Sequence, residues 1–98
     1  MFSGGSYDDV ARWLHNFLTS HAKREDPRIE VEMEAERESD YVATLRRGER
    51  RSRPIQLTYR EVADNRGALA WCTILARDTR ALAADLIASR DPAEAGRR

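Results

Sequence analysis

The sequence predicts an α+β fold, a two-layer α/β sandwich in the order α-β-β-β-β-α, with a four-stranded antiparallel meander and both helices on one face. Three observations predict it. An apolar stripe of helical period runs from Tyr7 to His21, strict two-residue alternation runs from Arg28 to Arg37, and Asp64-Asn65-Arg66-Gly67 reads as a hairpin turn between two strand-like runs. At 98 residues the chain holds one domain. We place it at residues 6–90, with a flexible N-terminus at 1–5 and a polar, disordered tail at 91–98.

The first helix opens on Ser6 and Asp9, an acidic variant of the capping box that satisfies free amides at a helix start. Tyr7, Val10, Trp13, Leu14, Phe17, Leu18 and His21 then fall on one stripe, while Asp8, Asp9, Arg12, His15, Asn16 and Lys23 fall opposite. Lys23 and Arg24 suit the negative end of the helix dipole, and Pro27 closes the connection. Trp13 lies at the stripe's edge and reads as an aromatic covering the margin of the core.

In the first strand Ile29, Val31, Met33 and Ala35 point to the core, and Glu30, Glu32, Glu34 and Glu36 line the opposite face. Carboxylates two apart on a strand stand roughly 7 Å apart and diverge, too open for a cation cage by themselves. The row reads as a solvated face that discourages edge-to-edge pairing. In the second strand Tyr41, Ala43 and Leu45 face inward. Placing Ala35 opposite Tyr41 sets Glu30 against Arg46 and Glu32 against Thr44, so part of the acidic row is neutralised across the strands.

Arg46, Arg47, Arg50, Arg51 and Arg53 crowd the next loop. Arginine forks bind phosphate, which makes a nucleic-acid-binding loop one reading; a solvated tip whose arginines serve the nearby glutamates is the other. Pro54 then starts the third strand, with Ile55, Leu57 and Tyr59 inward.

At Asp64-Asn65-Arg66-Gly67 two readings compete. In the hairpin, Gly67 supplies a left-handed backbone, residues 68–76 form a fourth strand, and Asp78 caps a second helix over 79–89 whose apolar face is Leu82, Leu86 and Ile87. The β-branched and aromatic run Trp71-Cys72-Thr73-Ile74 favours the strand, and so does a register setting Leu57 opposite Leu75. In the alternative, Asp64 caps one long C-terminal helix and the order becomes α-β-β-β-α. That order resembles the double-stranded-RNA-binding domain over most of the chain, as an order of elements. The family's second helix opens with phosphate-contacting lysines, whereas residues 65–70 here carry only Arg66, so no binding residue is carried over.

The chain has 17 basic and 17 acidic residues, so its overall field does not favour nucleic acid or an acidic membrane surface. Lys23 is the only lysine, a usage that fits a GC-rich bacterial genome. Cys72, the single cysteine, rules out an internal disulfide and fits a reducing cytoplasm; the start carries no targeting pattern, and no apolar run is long enough to span a membrane. Nothing nominates an enzyme, a metal or a cofactor. His15 and His21 fall on different sides of the first helix, and no P-loop, G-x-S-x-G or G-x-G-x-x-G is present. The hairpin reading exposes Val62, Ala70, Cys72 and Ile74 on the uncovered sheet face. The leading expectation is therefore a non-enzymatic interaction module, partnering itself as a homodimer or another protein through the fourth strand or that face. The alternative is nucleic-acid binding through the arginine loop. A third is a small-ligand pocket near Trp13, Tyr59 and Trp71.

Overall fold

The computed structural model describes residues 7–36 and 40–88, with residues 35 and 36 as backbone alone. The expected lead, the Ser6 cap, the turn at 38–39 and the tail lie outside them. In chain order the elements are α1 (Tyr7–Glu25), β1 (Glu30–Glu36), β2 (Asp40–Arg47), β3 (Arg50–Arg51), β4 (Ile55–Thr58), α2 (Tyr59–Asn65) and α3 (Leu69–Ala88). The α+β sandwich with a four-stranded antiparallel sheet is as expected, although its fourth strand is not the one anticipated.

β2 is the centre of the sheet. It pairs with β1 on one side and with β3 and β4 on the other. The β1–β2 register sets Glu30 opposite Arg46, Glu32 opposite Thr44 and Ala35 opposite Tyr41, as the alternation required. β3 and β4 are two halves of one interrupted third strand. Arg46 pairs with Arg51, and Ala43 with Ile55, so the third strand carries one more residue than β2 between these pairs. That extra residue is a bulge at 52–54. The Ser52 amide still bonds the Leu45 carbonyl at 2.8 Å, and its hydroxyl accepts the Leu45 amide at 3.1 Å. The bulge shifts the parity of the strand: Arg51 faces the outer side, yet Ile55 and Leu57 pack against the core.

Residues 68–76 are not a strand. Thr58 ends β4 by capping α2, its hydroxyl accepting the Glu61 amide at 3.0 Å, so Tyr59 opens a helix rather than continuing inward along the sheet. Arg66 closes α2 in right-handed geometry, the Ala68 amide bonds the Asn65 carbonyl, and the Ala68 carbonyl accepts Cys72 to start α3. Gly67 therefore separates two helices, and of the described glycines only Gly48 has a positive φ, at 65°. Asp78, expected to cap the second helix, lies exposed within α3. The β preference of Trp-Cys-Thr-Ile is small beside the burial gained along α3, where Leu75, Thr79, Ala83 and Leu86 recur every three or four residues.

All three helices lie on one side of the sheet. Trp13 of α1 stacks with Trp71 of α3 at 6.4 Å, and Glu25 at the end of α1 pairs with Arg80 at 3.6 Å, so the two long helices run in the same direction. Val10, Leu14, Leu18 and Ala22 of α1 meet Tyr41, Ala43 and Leu45 of β2, with Val62, Leu75, Ala83 and Leu86 completing the core. Burying each of the larger aliphatic side chains stabilises the fold by about 1.5–3 kcal/mol. The buried Thr79 hydroxyl is satisfied by donating to the Leu75 carbonyl at 2.7 Å. His21 packs at the core's edge with its ring 4.6 Å from Phe17, and burial, then Arg24 and Arg80, lower its pKa.

Candidate interaction surfaces

The outer face of the sheet is a lattice of ion pairs. Arg46 donates to Glu30 at 2.6 Å and pairs with Glu32 at 2.8 Å, and Arg51 pairs with Glu32 at 3.1 Å. The acidic row is thus partly neutralised across the strands, as its register predicted. Arg47 points elsewhere, to Asp26 at 2.6 Å, where Arg28 also binds. Of the five loop arginines, Arg46, Arg47 and Arg51 are therefore engaged within the domain. Arg50 and Arg53 have no carboxylate partner among the described residues. The positive charge of each engaged guanidinium is already met by a carboxylate, which weakens its attraction for a phosphate.

Asp26 is a heavily bonded carboxylate. Its Oδ1 accepts the Arg28 amide at 2.9 Å and Arg28 Nε at 3.3 Å, while Oδ2 accepts Arg28 at 3.3 Å and Arg47 Nε at 2.6 Å. These bonds, the Arg28 amide first, hold its carboxyl well below the usual carboxylate range. The cluster fastens the turn after α1 to the end of β2.

Val62, Ala70, Cys72 and Ile74 do not share a sheet face. Val62 sits in α2 and is fully buried, because a residue expected to alternate outward on a strand turns inward on a helix. Cys72 is half-buried; its thiol donates to the Arg66 carbonyl at 3.4 Å, and burial pushes its pKa up. Ala70 and Ile74 remain exposed, now on α3, with Leu69 beside them. Leu69 is 82% and Ile74 51% exposed, the two most exposed large apolar side chains described. Trp13, Tyr59 and Trp71 do not gather into one aromatic cluster: Trp13 stacks on Phe17 at 5.0 Å as well as on Trp71, whereas Tyr59 stacks on Tyr7 at 6.1 Å.

No family model, curated protein or solved structure matches the chain. Its surfaces must be read from their own chemistry. Among the described residues no group of three His, Cys, Asp or Glu side chains is arranged to hold a metal ion, and no helix is long and apolar enough to cross a membrane.

The two edges of the sheet differ, a feature invisible in the sequence. On the β1 edge, His15 Nε2 lies 3.1 Å from the Val31 carbonyl oxygen, so α1 occupies a group that an incoming strand would use. On the opposite edge, β4 borders a groove of about 460 Å³ between itself and α3. Pro54, Ile55, Leu57, Leu75, Ala81 and Leu82 form its apolar lining, with Arg53, Gln56, Asp78 and Asp85 as its polar members.

Proposed function

We propose that this chain is a small non-enzymatic protein-interaction module that self-associates as a two-fold dimer through the exposed face of α3 around Ala70 and Ile74. The observation that carries the reading is the exposure of Ala70 and Ile74, which stand four residues apart and so lie one above the other on the same side of α3, with Ile74 51% exposed. Apolar side chains grouped in this way on one helix are stabilised when a partner covers them. A two-fold axis through α3 would bring the same patch from both copies together. Val62 and Cys72 drop out of the surface, since both turn into the protein. The free thiol of Cys72 supports a reducing compartment such as the cytoplasm.

Nucleic-acid binding through Arg46, Arg47, Arg50, Arg51 and Arg53 has less support, because three of the five are committed to Asp26, Glu30 and Glu32. The test of self-association is multi-angle light scattering of the wild type and Ile74→Lys. A dimeric wild type and a monomeric, folded variant are expected. A wild type that stays monomeric at high concentration, or an unchanged mass in the variant, overturns the reading.

A further inference from the structure

We propose that the groove between β4 and α3 receives an extended segment of a partner protein, added as a strand to the β4 edge, with basic residues at alternate positions flanking an apolar one. The backbone fixes the first half of this. The Val31 carbonyl turns away from β2 to meet His15, so Leu45 opposite it turns its own groups toward the third strand, where Ser52 meets them. By the two-residue alternation of an antiparallel ladder, Tyr41 and Ala43 also bond toward β4, through Leu57 and Ile55. The Gln56 amide and carbonyl therefore point out of the sheet. Among the described residues no backbone group bonds them.

The chemistry of the groove fixes the second half. A strand added here would alternate its side chains between the outer face and the α3 side. On the α3 side it would meet the apolar lining between Asp78 and Asp85. These carboxylates are seven residues apart on one helix, about 10.5 Å along its axis, and neither has an ion-pair or hydrogen-bond partner among the described residues. Side chains four apart on a strand stand about 13 Å apart, a span that long arginine arms can close onto the two carboxylates. A basic-x-apolar-x-basic segment fits this spacing. A second copy of this chain does not: edge pairing across a two-fold axis would bring Asp78 and Asp85 of both copies together, and like charges oppose that approach.

The test is an amide NMR titration of the intact chain with acetyl-Arg-Thr-Val-Thr-Arg-amide, its Glu-Thr-Val-Thr-Glu counterpart, and the basic peptide with both threonine amides N-methylated. The basic peptide is expected to shift Ile55 to Thr58 and Asp78 to Asp85, and the other two to leave them unmoved. In Asp78→Asn/Asp85→Asn, binding should weaken roughly three- to tenfold, the worth of two exposed ion pairs. Gln56→Pro, a substitution an edge strand tolerates, should remove it while leaving the remaining spectrum intact. The proposal is overturned by absent shifts at millimolar basic peptide or by shifts centred on Glu30 to Glu34. Equal binding of the acidic peptide, or insensitivity to the aspartate or Gln56 variants, overturns it as well. None of these results depends on the oligomeric state, so the dimer reading stands or falls separately.

Discussion

The His15 ring of α1 reaches across to the backbone of β1, its Nε2 lying 3.1 Å from the carbonyl oxygen of Val31. A half-buried histidine thereby covers one outward-facing carbonyl of that sheet edge. His15→Ala should leave the fold intact but cost about 0.5–1.5 kcal/mol, the usual net worth of such a hydrogen bond. The same variant should aggregate faster on heating, because an uncovered edge carbonyl is a template for another strand. Urea denaturation measures the first effect and light scattering during a thermal ramp the second. An unchanged aggregation rate would show that the histidine is not guarding the edge.

Asp26 offers a pH-dependent test. Its folded pKa is depressed below the ordinary value of 3.8, so its contribution to stability is complete above that pH and is lost as pH falls through the folded value. Asp26→Asn should lower the urea midpoint at neutral pH. The gap between wild type and variant should then narrow steadily in acid below 3.8. A gap that stays constant with pH would mean that the loss is one of shape, not of charge-assisted bonds to Arg28 and Arg47.

The cap of α2 is open to a single-residue test. Thr58→Ala removes the acceptor for the Glu61 amide and should cost about 1 kcal/mol, while Thr58→Ser should retain most of it. Thermal or urea midpoints of the three proteins decide this. Equal midpoints for the alanine and serine variants would exclude a capping role.

Thr58 also explains what could and could not be read in advance. The β1–β2 register was legible because Ile29 to Glu34 alternates cleanly, and only one pairing sets both apolar faces together with Glu30 against Arg46. Residues 68–76 were ambiguous because they are almost uniformly apolar, so neither period stands out. The deciding signal lay ten residues earlier. Thr58-Tyr59-Arg60-Glu61 is a capping box, and Leu57 and Val62 flank it at hydrophobic-staple spacing. Reading it would have ended the strand at Thr58 and turned Val62 inward. The spacing of Leu75, Thr79, Ala83 and Leu86 continues the helical period beyond it. The guarded edge and the β4 groove carried no such signal. His15 and Val31 are 16 residues apart in sequence, and the groove joins Ile55 to Asp85 only through packing.

Tyr41 supplies a test of the core from the alkaline side. It is buried under Tyr7, with ring centroids 4.7 Å apart, and its hydroxyl donates to the Tyr7 carbonyl at 2.9 Å. Tyr7 in turn donates to the Asp40 carbonyl at 2.8 Å, so the two phenols tie α1 to the start of β2. Burial first, and then Tyr7, Tyr59 and Asp8, push the Tyr41 pKa up from 10.0 to about 12. An unfolded chain would ionise this phenol near 10.0 while the folded one holds its proton, so stability should fall as pH rises from 10.0 toward about 12. Ultraviolet titration of tyrosinate should show a late step that Tyr41→Phe removes. That variant should also lose about 0.5–1.5 kcal/mol at neutral pH with the missing hydrogen bond, yet lose less of its remaining stability than wild type between neutral and alkaline conditions. If the late step persists in Tyr41→Phe, the delayed ionisation belongs to Tyr7, whose pKa burial also raises, and the tie between α1 and β2 rests on the Tyr7 hydroxyl instead.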